Sequence, residues 1–253
     1  MIAALLAVQG EVFPLLGPAA TVFLRVGGLM LLMPGLGERT IPARVRLAAA
    51  LALTAAVAPS VADPLPAAGG PGAGLILSET AVGLALGAAM RFVAQALAMC
   101  GMMAAQLTSL SQLFGGAEPS SAMGNVLTMA GLCLLMASGL PLLVVDALIR
   151  SYDVLPPGAV LPGEDVVRIG VARVGQAFGL AFAMAAPFAL AALLYNAAMG
   201  VLNRAMPQLM VVMIGAPAIT WASAVLLFVS APVLLGAWKG AMLAVLADPT
   251  GLP

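Results

Sequence analysis

No histidine occurs anywhere in this chain. The usual general base near neutral pH and the commonest metal ligand are therefore missing together. Charge is almost as scarce. Only 8% of the residues ionise, ten basic and ten acidic, where an ordinary soluble domain carries about 25%. So few ionisable groups cannot cover the surface of a water-soluble fold of 253 residues, 63% of them apolar, and the mean hydropathy of +1.13 agrees. The composition is that of an integral membrane protein, with membrane lipid as its surroundings. The net charge is zero and no like-charge run occurs, so nothing points to nucleic acid as a partner.

Further absences narrow the chemistry. Lysine occurs once, at Lys239, so a serine nucleophile has no base except through a Ser-Lys arrangement built on that residue. Paired carboxylates stand only at Glu164-Asp165, and no P-loop, dinucleotide fingerprint or Cys/His metal spacing is present. No enzyme activity, metal or cofactor is expected. The two cysteines, Cys100 and Cys133, lie in apolar runs and read as buried free thiols rather than a disulfide. The opening residues lack a basic n-region and read as retained.

What the chain has is apolar runs, most of them long enough to span a bilayer at about 20 residues, with Leu47 to Pro59 short for a span unless extended to Val61. The first, Val12 to Met33, carries Arg25, which either snorkels to an interface or points at a partner helix. A second covers Leu47 to Pro59. A third is expected to start near Ser78 as N-cap, with Glu79 in its first turn, and to reach Met103. Arg91 lies inside it, about 18 Å along the helix from Glu79, so the two cannot pair and Arg91 requires a partner from elsewhere in an assembly. A fourth, Met123 to Ile149, is expected to bend at Gly139 and Pro141 and to pair Asp146 with Arg150. An amphipathic, interfacial connection is expected over 150–173, followed by a fifth helix, Val174 to Gly200, containing Pro187. The last block, Leu209 to Leu246, contains Pro217 and Pro232 and is expected to be a bent hairpin or helices that do not sit as standard spans. Three GxxxG pairs, Gly83/Gly87, Gly175/Gly179 and Gly236/Gly240, are candidates for close helix packing. The methionines read as adaptable packing.

Two polar interruptions stand out. Residues 106–121, QLTSLSQLFGGAEPSS, hold Gln106, Ser109 and Gln112, then Leu113, Phe114, Gly115 and Gly116. They form either an ordinary loop or a segment that closes a pathway, since non-helical backbone at membrane depth is tolerated only against protein or a cavity. Asn203, Arg204, Pro207 and Gln208 interrupt the stretch Leu194 to Pro217. On chemistry alone this is either a turn between helices or a buried polar site.

The order of these features resembles the FliR family of the flagellar and type III secretion export gate. Arg25 with Pro34, then Ile41-Pro42 with Arg44 and Arg46, are similar to its N-terminal pattern. Ser151-Tyr152 with Leu155-Pro156, and Asn203-Arg204 with Pro207-Gln208 and Gly215-x-Pro217, continue the likeness. The resemblance implies one FliR-type membrane domain over 1–253. It would be an all-α integral membrane protein of about six or more apolar helices, several broken by Pro or Gly and packed as hairpins within a hetero-oligomer. It implies a non-enzymatic subunit of the flagellar protein export gate in the bacterial inner membrane, at the basal body. FliP-like and FliQ-like gate subunits, FlhB-like and FlhA-like export proteins and unfolded flagellar substrates would be its partners. Under the same resemblance 106–121 corresponds to a plug, and Arg25, Arg91, Arg204, Pro207 and Gln208 are candidates for assembly contacts. The alternatives are the matching subunit of a virulence-type injectisome, or a stand-alone secondary transporter built on broken helices.

Overall fold

The computed structural model describes residues 2–38, 41–61, 72–108, 120–160, 162–205 and 211–248, and every regular element among them is helical. In order these are α1 (Ile2–Leu32), α2 (Ala43–Val57) with a 3-10 turn at Ala58–Ser60, α3 (Ala73–Thr108), α4 (Ser120–Ala137), α5 (Leu140–Val154), α6 (Gly163–Ala205) and α7 (Val211–Ala247). Four segments, Ala43–Ser60, Ala73–Leu107, Gly163–Ala205 and Ala218–Ala247, are long and apolar enough to cross a bilayer, and the broken pair α4–α5 makes a fifth. The chain is an all-α integral membrane protein.

Several expected boundaries move. α3 begins at Ala73, so Ser78 is not a cap; its hydroxyl bonds the Leu75 carbonyl from inside the helix. The helix expected to begin at 174 begins at Gly163, and α6 runs 43 residues without a break. Glu164 and Asp165 occupy its first turn, and Arg168 pairs with Asp165 at 3.0 Å. Nothing between Val166 and Val174 interrupts a helix, so nothing separates the residues before 174 from those after. α6 continues through Pro187, and α7 through Pro217 and Pro232, which replaces the expected bent hairpin with one helix of 37 residues. Proline costs a helix one hydrogen bond and a steric strain, but its fixed φ is itself helical, and membrane helices tolerate it. Glycine decides the break between α4 and α5: Gly139 has φ +82°, a left-handed conformation that side-chain-bearing residues rarely adopt. At 37 and 43 residues these helices are about 55 and 65 Å long and exceed the hydrocarbon layer of about 30 Å.

The chain packs as two compact units. The first comprises Met1–Phe92, Leu135–Arg173 and Met242–Pro253. In it, α1 buries Val22, Val26, Leu29 and Met30, the i, i+4, i+7, i+8 stripe of one helix face, and Met33 just after it is buried as well. Leu53 and Val57 of α2, Val82, Leu86 and Met90 of α3, and Leu140, Val144 and Leu148 of α5 are also buried there. α1 and α3 cross on glycine: a Cβ added at Gly83 would lie 2.0 Å from the Arg25 carbonyl oxygen, and one at Gly87 2.6 Å from that of Leu29.

The second unit comprises Val93–Leu134 and Val174–Ala241. The C-terminal part of α3 buries Leu97, Cys100 and Ala104, and α6 buries Ala181, Met184 and Phe188. Trp238 of α7 is fully buried, donates its indole N–H to the Val93 carbonyl at 2.7 Å, and lies over Gly131 of α4. Trp238→Phe is expected to remove that bond at a cost of about 1 kcal/mol, read as a lowered Tm in mild detergent. Cys100 is buried and Cys133 exposed, and both are free, so the expectation of two buried thiols fails at Cys133, whose place on α4 faces away from this chain's core.

Candidate functional site

A chain with few charges has buried two of them together. Among the residues whose side chains are described, Arg25 and Glu79 are the charged groups with 0% exposure. Arg25 Nε donates to Glu79 Oε2 at 2.8 Å, and Nη2 to Oε1 at 3.1 Å. This is the two-pronged geometry that guanidinium and carboxylate share. Nη1 donates to Ser151 Oγ at 3.0 Å, and Nη2 also to the Leu155 carbonyl at 2.9 Å. Glu79 accepts further bonds from the Gly158 N–H at 3.1 Å and the Tyr152 hydroxyl at 3.4 Å. The Tyr152 ring lies under the guanidinium, 3.6 Å from Cζ, where the negative face of the π-system meets the cation.

Each element supplies its share for a local reason. Arg25 is on the buried face of α1, between Val22, Val26 and Leu29. Glu79 is on the α3 face that carries Val82 and Leu86. Ser151 and Tyr152 extend the α5 stripe of Val144 and Leu148. After α5 the chain turns through Gly158, which has a φ of +78° and donates its N–H to the carboxylate. One ion pair thus ties α1, α3, α5 and the α5–α6 turn within a single unit. Removing two charges from water costs several kcal/mol per ion, offset only where the remaining donors and acceptors are also satisfied, and here they are. The arrangement holds structure; the carboxylate has no open side on which to exchange a proton or bind an ion.

Arg91 also finds a partner inside the chain. It forms an ion pair with Glu38, which follows α1, both about one-third exposed. The expectation that Arg91 needs another subunit overlooked Glu38, because a charge in a loop has no helical register from which to read its reach. Arg91→Ala is expected to cost no more than about 1 kcal/mol, as partly exposed pairs do, with Tm as the check. Asp146 and Arg150 pair at 2.8 Å on the exposed surface of α5.

The other candidates are distributed as follows. Arg204 is exposed in the last turn of α6 and pairs with no described residue. Pro207 and Gln208 lie outside the described residues, as do Ser109, Gln112, Leu113, Phe114, Gly115 and Gly116. Gln106, at the exposed end of α3, borders an apolar pocket of about 450 Å³ shared with Met102, Met103, Phe182 and Ala185. Gly83 and Gly87 face α1, whereas a Cβ at Gly175, Gly179, Gly236 or Gly240 would meet nothing within 4 Å. Glu79 is the residue that sequence reasoning missed. The signal is an acid and an arginine, each inside an apolar helix; Glu79 cannot reach Arg91 on its own helix, and the sequence does not say that Arg25 lies opposite it.

The family described as "Bacterial export proteins, family 1" matches residues 16–245. A protein of Caulobacter vibrioides named "Flagellar biosynthetic protein FliR" is 34% identical over 207 residues, covering 79% of this chain and 82% of that protein. One of the same name from Escherichia coli is 30% identical over 204 residues, covering 77% and 76%. The matched region contains Arg25, Glu79 and the Ser151 to Gly158 turn.

Proposed function

We infer the function from descent, since the chain belongs to the FliR family of bacterial export proteins. It is a membrane-embedded component of the flagellar export apparatus. Within that role we assign it to the export gate, as a non-enzymatic subunit helping to form the passage for unfolded flagellar proteins. FliP-like and FliQ-like subunits would surround it, with FlhB-like and FlhA-like proteins beside it, in the inner membrane at the basal body. Residues 106–121 would contribute to closure, and Arg204, Pro207 and Gln208 to contacts with neighbouring subunits. Both relatives named above carry a flagellar name, which favours the flagellar reading over the injectisome.

The observation that carries a structural role is the Arg25–Glu79 cluster. A secondary transporter couples transport to an ionisable group able to change partners at membrane depth. Glu79, the described acid at 0% exposure, is held on every side. The test is affinity purification in mild detergent from the protein's own cells, followed by mass spectrometry. FliP-like and FliQ-like proteins are expected in fixed excess. Recovery of the chain alone, folded and monodisperse, would favour the transporter.

A further inference from the structure

Lys239 lies in α7, in an otherwise apolar run from Ala231 to Ala247. Among the described residues it makes neither an ion pair nor a hydrogen bond. Of the other described cations, Arg25, Arg91, Arg150 and Arg168 are in ion pairs and Arg173 donates to the Asp248 carbonyl, whereas Arg44, Arg46 and Arg204, like Lys239, have no ion pair. Its neighbour Trp238 is fully buried and hydrogen-bonded, which fixes the rotation of the helix and therefore the direction Lys239 faces. At 3.6 residues per turn, Gly236 is flanked by Gly240 about 40° to one side and Lys239 about 60° to the other. Nothing lies within 4 Å of a Cβ built at either glycine. The same face continues through Val225, Val229 and Val233, which are 57%, 68% and 73% exposed. It is an apolar stripe with a shallow glycine floor and one ammonium at its edge.

We propose that this face of α7 seats a helix of a different membrane subunit, and that a carboxylate on that helix pairs with Lys239. The inference rests on the chain being a subunit of a larger membrane assembly. Charge complementarity identifies the occupant: an ammonium on an apolar helix needs a counter-charge, and this chain supplies none of those described. The glycine floor admits a helix backbone closely enough for a short acidic side chain to reach. Among the acids whose side chains are described, a second copy of the chain offers a poor match. Glu38, Glu79, Asp146 and Asp165 are committed to arginines, Asp248 is engaged, and Asp153 and Glu164 stand at the ends of α5 and α6.

The test places a photo-crosslinking residue at Val233, Gly236 or Gly240 of the full chain in its own cells. The expected product joins this chain to one other small membrane subunit. Lys239→Glu should reduce it at least ten-fold and Lys239→Arg should preserve it. Changing one acid of the captured subunit to lysine should restore it in the Lys239→Glu background, and that reciprocal pair reports even if Lys239→Glu alone accumulates poorly. With partners still co-purifying, crosslinks only to lipid or to a second copy overturn the proposal and leave the gate reading intact. So does a crosslink unchanged by Lys239→Glu. A wild-type chain that purifies without partners overturns both.

Discussion

Glu79→Ala is expected to cost about 3–5 kcal/mol, because it leaves the Arg25 guanidinium buried with no counter-charge. Against a total stability of about 5–15 kcal/mol for a typical protein, this is enough to deplete the folded chain. We expect a several-fold loss of accumulation in membranes, a sharply lower Tm in mild detergent, and loss of motility as a consequence. Arg25 would keep its bonds to Ser151 and the Leu155 carbonyl, but these are neutral acceptors and do not replace the carboxylate. The double variant Arg25→Met/Glu79→Leu should recover much of the loss, since removing both ions also removes the cost of desolvating them. A single Glu79→Ala variant as stable as the parent chain would show that the cluster is not closed as described.

Gly83→Ala should be the second most damaging small change. Its new methyl would lie 2.0 Å from the Arg25 carbonyl oxygen and 3.1 Å from the Arg25 Cα. Backbone cannot rotate aside as a side chain can, so α1 and α3 must separate. Overpacking of this kind costs about 1–3 kcal/mol, and separation here would also stretch the Arg25–Glu79 bonds, which span the same two helices. The informative control is Gly179→Ala, where a Cβ meets nothing within 4 Å. There the usual helix preference for alanine over glycine should stabilise the purified chain by about 0.5–1 kcal/mol. Opposite signs of the Tm change at these two glycines are the expected result, and equal signs would contradict the helix crossing.

The sequence by itself determined the class of this protein and its lineage. Charge scarcity, apolar runs of spanning length and the positions of Arg25, Ser151-Tyr152 and Leu155-Pro156 are readable without coordinates. Hydrophobicity and motif order are properties of the chain alone. Gly139, too, was legible as a break, because the left-handed conformation it adopts is a local preference of glycine. The proline expectations failed where α7 runs through Pro217 and Pro232, since a proline's effect on a helix depends on what surrounds it. Only the tertiary structure decided which charges meet. Arg25 and Glu79 are 54 residues apart and Arg91 and Glu38 53, and helical periodicity gives each a face but not the helix opposite. It likewise separated three identical GxxxG patterns into one that packs, at Gly83 and Gly87, and two that stand open, at Gly175/Gly179 and Gly236/Gly240. The spacing of small residues states how closely a neighbour could approach; whether one does is settled by where the rest of the chain has gone.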